Sequence, residues 1–394
     1  MTGMRRIGGP VLLSAALAVL LVGAGTVTSS AQPVAPPTPV LADAPPASWP
    51  EPAGVDGESY LLMEVATGQL LAARDADRRR PVASTLKLLT VYTAVQRVDL
   101  DDVVTAGEEV LGVGGAGVGL QPGDRWTVEE LIDALIGRSG NEAAEALAVH
   151  VAGDRDRFLR LMEQDAAALG ATGLSITSPS GLDDDTLLSA RDLALIGRAV
   201  LAEPALRPAL TRRVIALPGQ PAEEHRNELL VSYPGATGMK TGYTAAAGYS
   251  LVGSAERGGR ELIAVVLGAG EDGRRFESAA ALLDHGFDAT RPTVLGTEVA
   301  LSVGGGWVVL ATEEVTVTVP AASDASLELR LPIRAPEEPL RVPIVVDGES
   351  LAALSATPTG RPAPVDDDAA RIGRALVDGT YAALRAATGG GTLG

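Results

Sequence analysis

Only two lysines occur in the chain, Lys87 and Lys240, although Lys and Arg together number 32. Every other basic side chain of this kind is arginine, which keeps its proton in a protein. A desolvated lysine beside another cation can release its proton and act as a base. Lys87 follows Ser84 by three residues, a spacing that on a helix sets hydroxyl and amine on one face within reach of each other. The chemistry this offers is a serine nucleophile with lysine as its base. Ser-x-x-Lys also arises wherever an N-cap serine precedes a solvated lysine, so the pair alone does not decide the matter. Ser139-Gly140-Asn141 adds a second hydroxyl and a carboxamide. Lys240-Thr241-Gly242 adds an ammonium and a hydroxyl next to a glycine, and glycine in a strand lets another backbone, such as a ligand's, approach closely.

Other chemistries are limited by what the chain lacks. There is no cysteine, which excludes disulfides and thiolate metal sites, and the three histidines (His150, His225, His285) are too few for a His-rich centre. Neither a metal nor another cofactor is expected. No histidine lies within a few residues of Ser84, Ser139 or Lys240. A spatially assembled Ser-His-Asp triad stays open at this point, but a serine with its own lysine is the simpler base arrangement. The formal charge is −18. The one basic cluster is Arg78-Arg79-Arg80, which makes no phosphate-binding face, so nucleic acid is not an expected partner.

The elements that must position these residues follow from the patterning of a chain of 394 residues, long enough for two or three domains. Residues 1–31 read as an export signal: Arg5-Arg6, an apolar run from about Pro10 to Val22, and small residues at Ser29 and Ala31. The alternative is an uncleaved anchor; in either case the body of the protein is expected outside the cytoplasm. Residues 32–52, rich in Pro and Ala, read as an extended linker. Tyr60–Val65 and Gln69–Ala72 flank a short turn as a hairpin. A helix is expected to open at Ser84 and to run through Val95. Thr127-Val128-Glu129-Glu130 is a capping box starting a helix that ends at Arg138, and Glu142–His150 forms the next. Further helices are expected at Arg155–Leu169, Arg191–Leu201 and Phe276–His285, with an ordered loop over Ser178–Asp185. Gly248–Ala255 and Glu261–Leu267, joined at Gly258-Gly259, read as an antiparallel pair entered by Lys240-Thr241-Gly242, along a sheet edge.

From about Thr293 the texture changes to alternating strands, Val315–Val319 and Leu327–Ile333, of a small all-β domain spanning 293–357. A Pro-rich link (357–364) and a helix over 366–387 complete a tail, 358–394. Its Gly and Asp content excludes a spanning segment; the expectation is a docked helix, with peripheral membrane contact as the alternative.

The three motifs in this order match the set shared by penicillin-binding proteins and class A β-lactamases. Leu88-Leu89-Thr90, Gly238-Met239, Ala247–Gly253, the Ser178–Asp184 loop and Ser189–Leu193 narrow the likeness. Over roughly 57–287 the chain resembles the low-molecular-mass D-alanyl-D-alanine carboxypeptidases, peptidase family S11. The resemblance implies an α+β fold over 53–292: a serine β-lactamase/DD-peptidase-like domain, in which a central antiparallel sheet has helices on both sides and a helical lobe. It implies a stem peptide of peptidoglycan ending in D-Ala-D-Ala as substrate, and acylation by β-lactam antibiotics. Ser84 would be the nucleophile. Lys87 would be its base, held neutral by desolvation and the Lys240 charge, and Ser139 a proton relay. Asn141 would hold substrate and Lys87, Lys240 and Thr241 would bind the terminal carboxylate beside Gly242, and the N–H groups of Ser84 and Tyr243 would form the oxyanion hole. Arg226 and Arg275 would lie on the carboxylate side, or would form ordinary surface pairs. The chain departs from the family's usual Asp at Glu142 and from its frequent His at Ser180. Two other functions compete. A class A-like β-lactamase would want a Glu-x-x-Leu-Asn loop, which Ser178–Ala190 lacks; a catalytically idle wall-binding protein would keep the cleft without the chemistry.

Overall fold

The structure, a computed structural model, describes residues 40–41, 44–303, 306–322, 325–326, 340–346 and 349–356. The expected export signal, the strand Leu327–Ile333, the Pro-rich link 357–364 and the helix 366–387 lie outside these residues. In chain order the elements used below are β1 (Val40–Leu41), β2 (Ser59–Glu64), β3 (Leu70–Arg74), α1 (Lys87–Val95), α2 (Val128–Asp133), α3 (Asn141–Ala152), α4 (Arg155–Ala168) and α5 (Ala190–Ala202). Then follow β4 (Ala236–Thr244), β5 (Gly248–Arg257), β6 (Arg260–Ala269), α6 (Asp272–Ala289), β7 (Thr290–Val303), β8 (Gly306–Pro320), β9 (Leu340–Val346) and β10 (Glu349–Ala356).

A five-stranded antiparallel sheet, ordered β4-β5-β6-β2-β3, divides two apolar cores. The period-two geometry of a strand sends Leu61, Met63, Ile263, Val265 and Leu267 to one side, among α1, α3, α4 and α5. Tyr60, Leu62, Leu262, Ala264 and Val266 go to the other side, against α6. With apolar residues at consecutive positions, β2 and β6 can only be central strands covered on both faces. The β5–β6 hairpin turns at Gly258-Gly259, both with positive φ (62° and 80°), the conformation that glycine adopts without penalty in a two-residue turn. This leaves β4, which carries Lys240-Thr241-Gly242, at the sheet edge as the sequence suggests.

The helix expected at Ser84 begins differently. Ala83–Leu86 form a tight 3₁₀ turn and the α-helix starts at Lys87, with Ala83 held at φ 51°. The capping box at Thr127 is present in both directions, but the helix widens into a π-helical turn over Ala134–Arg138 and stops at Ser139 in the left-handed region, φ 66°. Such widened turns re-aim the residues that follow them.

Two features of the flanking segments go beyond the sequence reading. Within the stretch read as a linker, β1 pairs with β10, and Trp49 is buried in the core beneath α6. At the other end α6 runs to Ala289 and β7 begins at once at Thr290. The β7–β8 hairpin packs on the five-stranded sheet: Val317 and Val319 join its second core. The Gln69 carboxamide donates to Thr318 O at 2.6 Å and accepts from Thr318 N at 2.8 Å.

Candidate active site

The nucleophile turn is positioned by close backbone approach from two sides. A Cβ at Gly242 on β4 would stand 2.9 Å from Val82 O and 3.1 Å from Thr85 N, so the absence of a side chain there lets the edge strand lie against the turn that carries Ser84. The sequence reading gave this glycine to a ligand backbone; it lines the cleft, and its bare Cα also makes room for the protein's own turn. Gly181, at φ 69°, abuts Ala83 O from the opposite loop, where any side chain would displace the turn.

Between these supports the motif side chains meet. Lys87 Nζ lies 2.8 Å from Ser84 Oγ, 2.7 Å from Asn141 Oδ1 and 2.8 Å from Ser180 O. Lys240 Nζ donates to Ser139 Oγ at 3.1 Å and to Thr241 O at 2.9 Å. Both lysines are wholly buried. Burial is the largest cause pushing Lys87 down to about 7, and the Arg226 charge adds to it while Glu142 and Glu145 oppose it. Arg226 is a cation the sequence reading did not name in this role; the Lys87–Lys240 repulsion it did name is present as well. Lys240 is pushed well below its ordinary range, by burial first and then by Lys87, Arg226 and Arg275. A lysine titrating near neutrality has a substantial uncharged fraction able to accept a proton from serine.

In front of these groups lies a cleft of about 290 Å³, lined by Ser84, Ser139, Asn141, Thr241, Gly242 and Tyr243, among others. Arg226 and Arg275 also line it, so neither is merely an outward surface pair. Arg275 donates to Gly242 O at 3.0 Å and pairs with Asp272, which ties α6 to the edge strand. Arg226 is carried by the segment after Gln220, whose backbone is fastened to the π-helical turn by Arg226 N donating to Gly137 O at 3.1 Å. No carboxylate lines the cleft among the described residues, and none of the three histidines does. His225 is buried behind it, with Nδ1 accepting from Asn227 N at 2.9 Å, and burial and Lys240 push it down to about 4. With Nδ1 already accepting, the neutral ring carries its proton on Nε2, and His225 does not line the cleft, so it offers Ser84 no base.

Two supporting groups escaped the sequence reading. The Ser180 carbonyl fixes the Lys87 amine through its backbone, which no side-chain pattern reveals. Glu142 looked like a loop detail, yet its buried carboxylate accepts from Val118 N and Gly119 N. It thereby holds the glycine-rich wall 111–119, to which Asn141 is bonded through Gly114 O at 2.8 Å and Ala116 O at 2.8 Å.

Comparison with known proteins gives the same arrangement a lineage. The profile of the D-alanyl-D-alanine carboxypeptidase family, Peptidase_S11, matches residues 47–271. The chain is 39% identical over 256 residues to D-alanyl-D-alanine carboxypeptidase DacB2 of Mycobacterium tuberculosis, a match covering 62% of this chain and 87% of that protein. Among solved structures it resembles a D-alanyl-D-alanine carboxypeptidase from Mycobacterium tuberculosis H37Rv (TM-score 0.59, 35% identity, 62% of this chain and 96% of that one). Penicillin-binding protein 5 from Haemophilus influenzae is similar over a longer span (TM-score 0.68, 28% identity, 80% of this chain and 99% of that one). With the Ser-x-x-Lys, Ser-Gly-Asn and Lys-Thr-Gly side chains joined in one cleft on this α+β frame, the chain belongs to the D-alanyl-D-alanine carboxypeptidases of peptidase family S11.

Proposed function

We propose that the protein is a serine-type D-Ala-D-Ala carboxypeptidase that trims the terminal D-alanine from peptidoglycan stem peptides. The observation that carries this reading is the position of Lys87 Nζ, shared between Ser84 Oγ and Asn141 Oδ1 and buried behind a cleft whose charged groups are cationic. A substrate carboxylate at Lys240 and Thr241 would supply the anion that this pocket of cations lacks. The uncharged Lys87 amine takes the Ser84 proton as Oγ attacks the carbonyl between the two D-alanines. The negative charge that develops on the carbonyl oxygen is received by the backbone N–H groups of Ser84 and Tyr243. Collapse breaks the C–N bond. Ser139 passes a proton to the leaving amine, drawing on the ammonium side of the relay, and free D-alanine departs. Water then adds to the Ser84 ester and gives a proton to Lys87; the acyl C–O bond breaks and Lys87 returns that proton to Ser84 Oγ, which restores the enzyme and frees the shortened peptide.

β-Lactams present a strained amide beside a carboxylate and acylate the same serine. Among the described residues no carboxylate lines the cleft to activate water against the resulting ester, which weighs against a β-lactamase. A complete set of bonded side chains weighs against an idle binding protein. A substrate of this kind places the protein outside the cytoplasm, in agreement with the export signal read at 1–31. Peripheral membrane contact would rest on residues 366–387, outside the described ones.

The test combines intact-mass measurement after penicillin treatment with release of D-alanine from a D-Ala-D-Ala peptide. One persistent adduct, absent in Ser84→Ala, and D-alanine release are expected. An adduct that survives in Ser84→Ala would overturn the assignment, and rapid penicillin turnover without peptide hydrolysis would favour the β-lactamase.

A further inference from the structure

Residues 212–226 fold back on themselves as a strap over the π-helical turn that delivers Ser139. Val214–Ile215 pair antiparallel with Glu223–Glu224, and the two ends of the strap grip the two ends of the turn. Arg212 pairs with Asp133, one residue before the turn, and Glu223 pairs with Arg138, its last residue. Arg226 N donates to Gly137 O at 3.1 Å, and His225 N closes the strap on Arg213 O at 2.8 Å. A further tie reaches the glycine-rich wall: Gln220 Nε2 donates to Val118 O at 2.5 Å, on the residue whose N–H Glu142 accepts.

The seat of the strap is Gly137. A Cβ there would overlap Cγ1 and Cδ1 of the buried Ile215 and stand 3.4 Å from His225 Cδ2. Gly137 does not have a positive φ, so its backbone does not call for glycine, and a helical turn would favour alanine. The bare Cα therefore serves the contact with Ile215. The strap ends at Arg226, which lines the cleft. No ion pair or side-chain hydrogen bond among the described residues holds the Arg226 guanidinium, so its place is set by the backbone that carries it. Arg138 and Glu223, themselves paired, are the charged groups that act on it from the turn and the strap. Lys87 in turn faces Arg226 from the strap, Glu142 and Glu145 from α3 and Lys240 from β4.

We propose that Gly137 and Ile215 are positioning residues: by seating the strap 212–226 on the π-helical turn they hold the Arg226 cation in the cleft, where it acts on Lys87. The proposal rests on the serine–lysine chemistry above.

The seat can be disturbed without changing a charge. Gly137→Ala sets one methyl against Ile215, which lifts the strap and withdraws Arg226, and Lys87 then holds its proton more firmly. In the full-length protein the rising limb of penicillin acylation should move to higher pH by about half a unit, and the rate at about pH 6 should fall about threefold. Gly137→Ala/Ile215→Ala, which removes the opposing methyls, should bring the limb back toward its wild-type position. In Arg226→Gln the cation is already gone, so Gly137→Ala should add no further shift, the non-additivity of residues that act through one group. Gln220→Ala cuts the tie to the wall and leaves the core intact; it should move the limb in the same direction by less, and tests the strap even where Gly137→Ala folds poorly. A limb unmoved in both Gly137→Ala and Gln220→Ala, no recovery in the double variant, or a shift that persists in full in Arg226→Gln would overturn the proposal. A wild type that penicillin does not acylate would instead overturn the serine–lysine reading, and this role with it.

Discussion

The carboxylate of Glu142 accepts a hydrogen bond from the backbone N–H of Val118 at 2.6 Å, closing the glycine-rich wall of the cleft onto the first turn of α3. The same carboxylate opposes the downward push on Lys87, whereas Arg226 reinforces it. One residue thus braces the wall and also acts electrostatically on the amine behind it.

Opposite shifts follow for the two neighbours of Lys87. Acylation should rise with pH through about 7 as Lys87 loses its proton. Glu142→Gln removes a charge that holds the proton on, so the rising limb should move to lower pH. Arg226→Gln removes a charge that drives it off, so the limb should move to higher pH. The second-order acylation rate of each variant across pH 5–9 (about two units either side of the limb) checks both signs. Shifts in the same direction would refute the assignment of the limb to Lys87.

The stability of the fold should carry the same sign. Lys87 titrates lower folded than unfolded, so between about 7 and its ordinary 10.5 the unfolded chain holds more protons. Its burial is therefore a cost at low pH that fades as pH rises through that window. In Lys87→Met the gain in melting temperature over the wild type should be larger at pH 6 than at pH 10, as seen by thermal denaturation at several pH values on either side of the folded value.

Lys87→Arg should abolish acylation, because guanidinium keeps its proton and leaves Ser84 without a base. Lys240→Arg should be damaging yet measurable, because that position chiefly presents positive charge to a carboxylate, which arginine also binds. Acylation rates with folding checked by circular dichroism decide the matter; more activity in Lys87→Arg than in Lys240→Arg would reverse the two roles.

Gly242→Ala should slow acylation by roughly a hundredfold, the scale expected when reacting groups are displaced by about an ångström. The added methyl would meet Val82 O and Thr85 N, which are backbone and cannot turn aside. The overall melting temperature should fall only modestly. Unchanged acylation would show that the turn relaxes freely.

A chain ending at Ala289 should still be acylated, since every group bonded to Ser84 or Lys87 precedes it. It should be less stable, because Val317 and Val319 leave the second core and each buried valine is worth about 2 kcal/mol. Loss of acylation in a folded truncation would give the β7–β8 hairpin a part in shaping the cleft.

The sequence alone determined the chemistry. Two lysines in an arginine-rich chain, each beside a serine or threonine hydroxyl, and a Ser-Gly-Asn triplet are local facts, because motif residues lie within four positions of one another. The apolar periodicity of β2 and β6 and the capping box at Thr127 were legible for the same reason: short-range geometry sets them. Tertiary structure decided what depends on segments far apart in the chain. That Gly242 serves the Ser84 turn, that Arg226 assists burial at Lys87, and that Ser180 offers its carbonyl are consequences of approach across the cleft. The same holds for β1, whose pairing lies with β10 at the far end of the chain, and for Trp49, buried in the core that the sheet and α6 share. Backbone carbonyls and peptide N–H groups are the same in every residue, so a sequence cannot mark which of them a buried charge will meet; only the folded chain brings them into range.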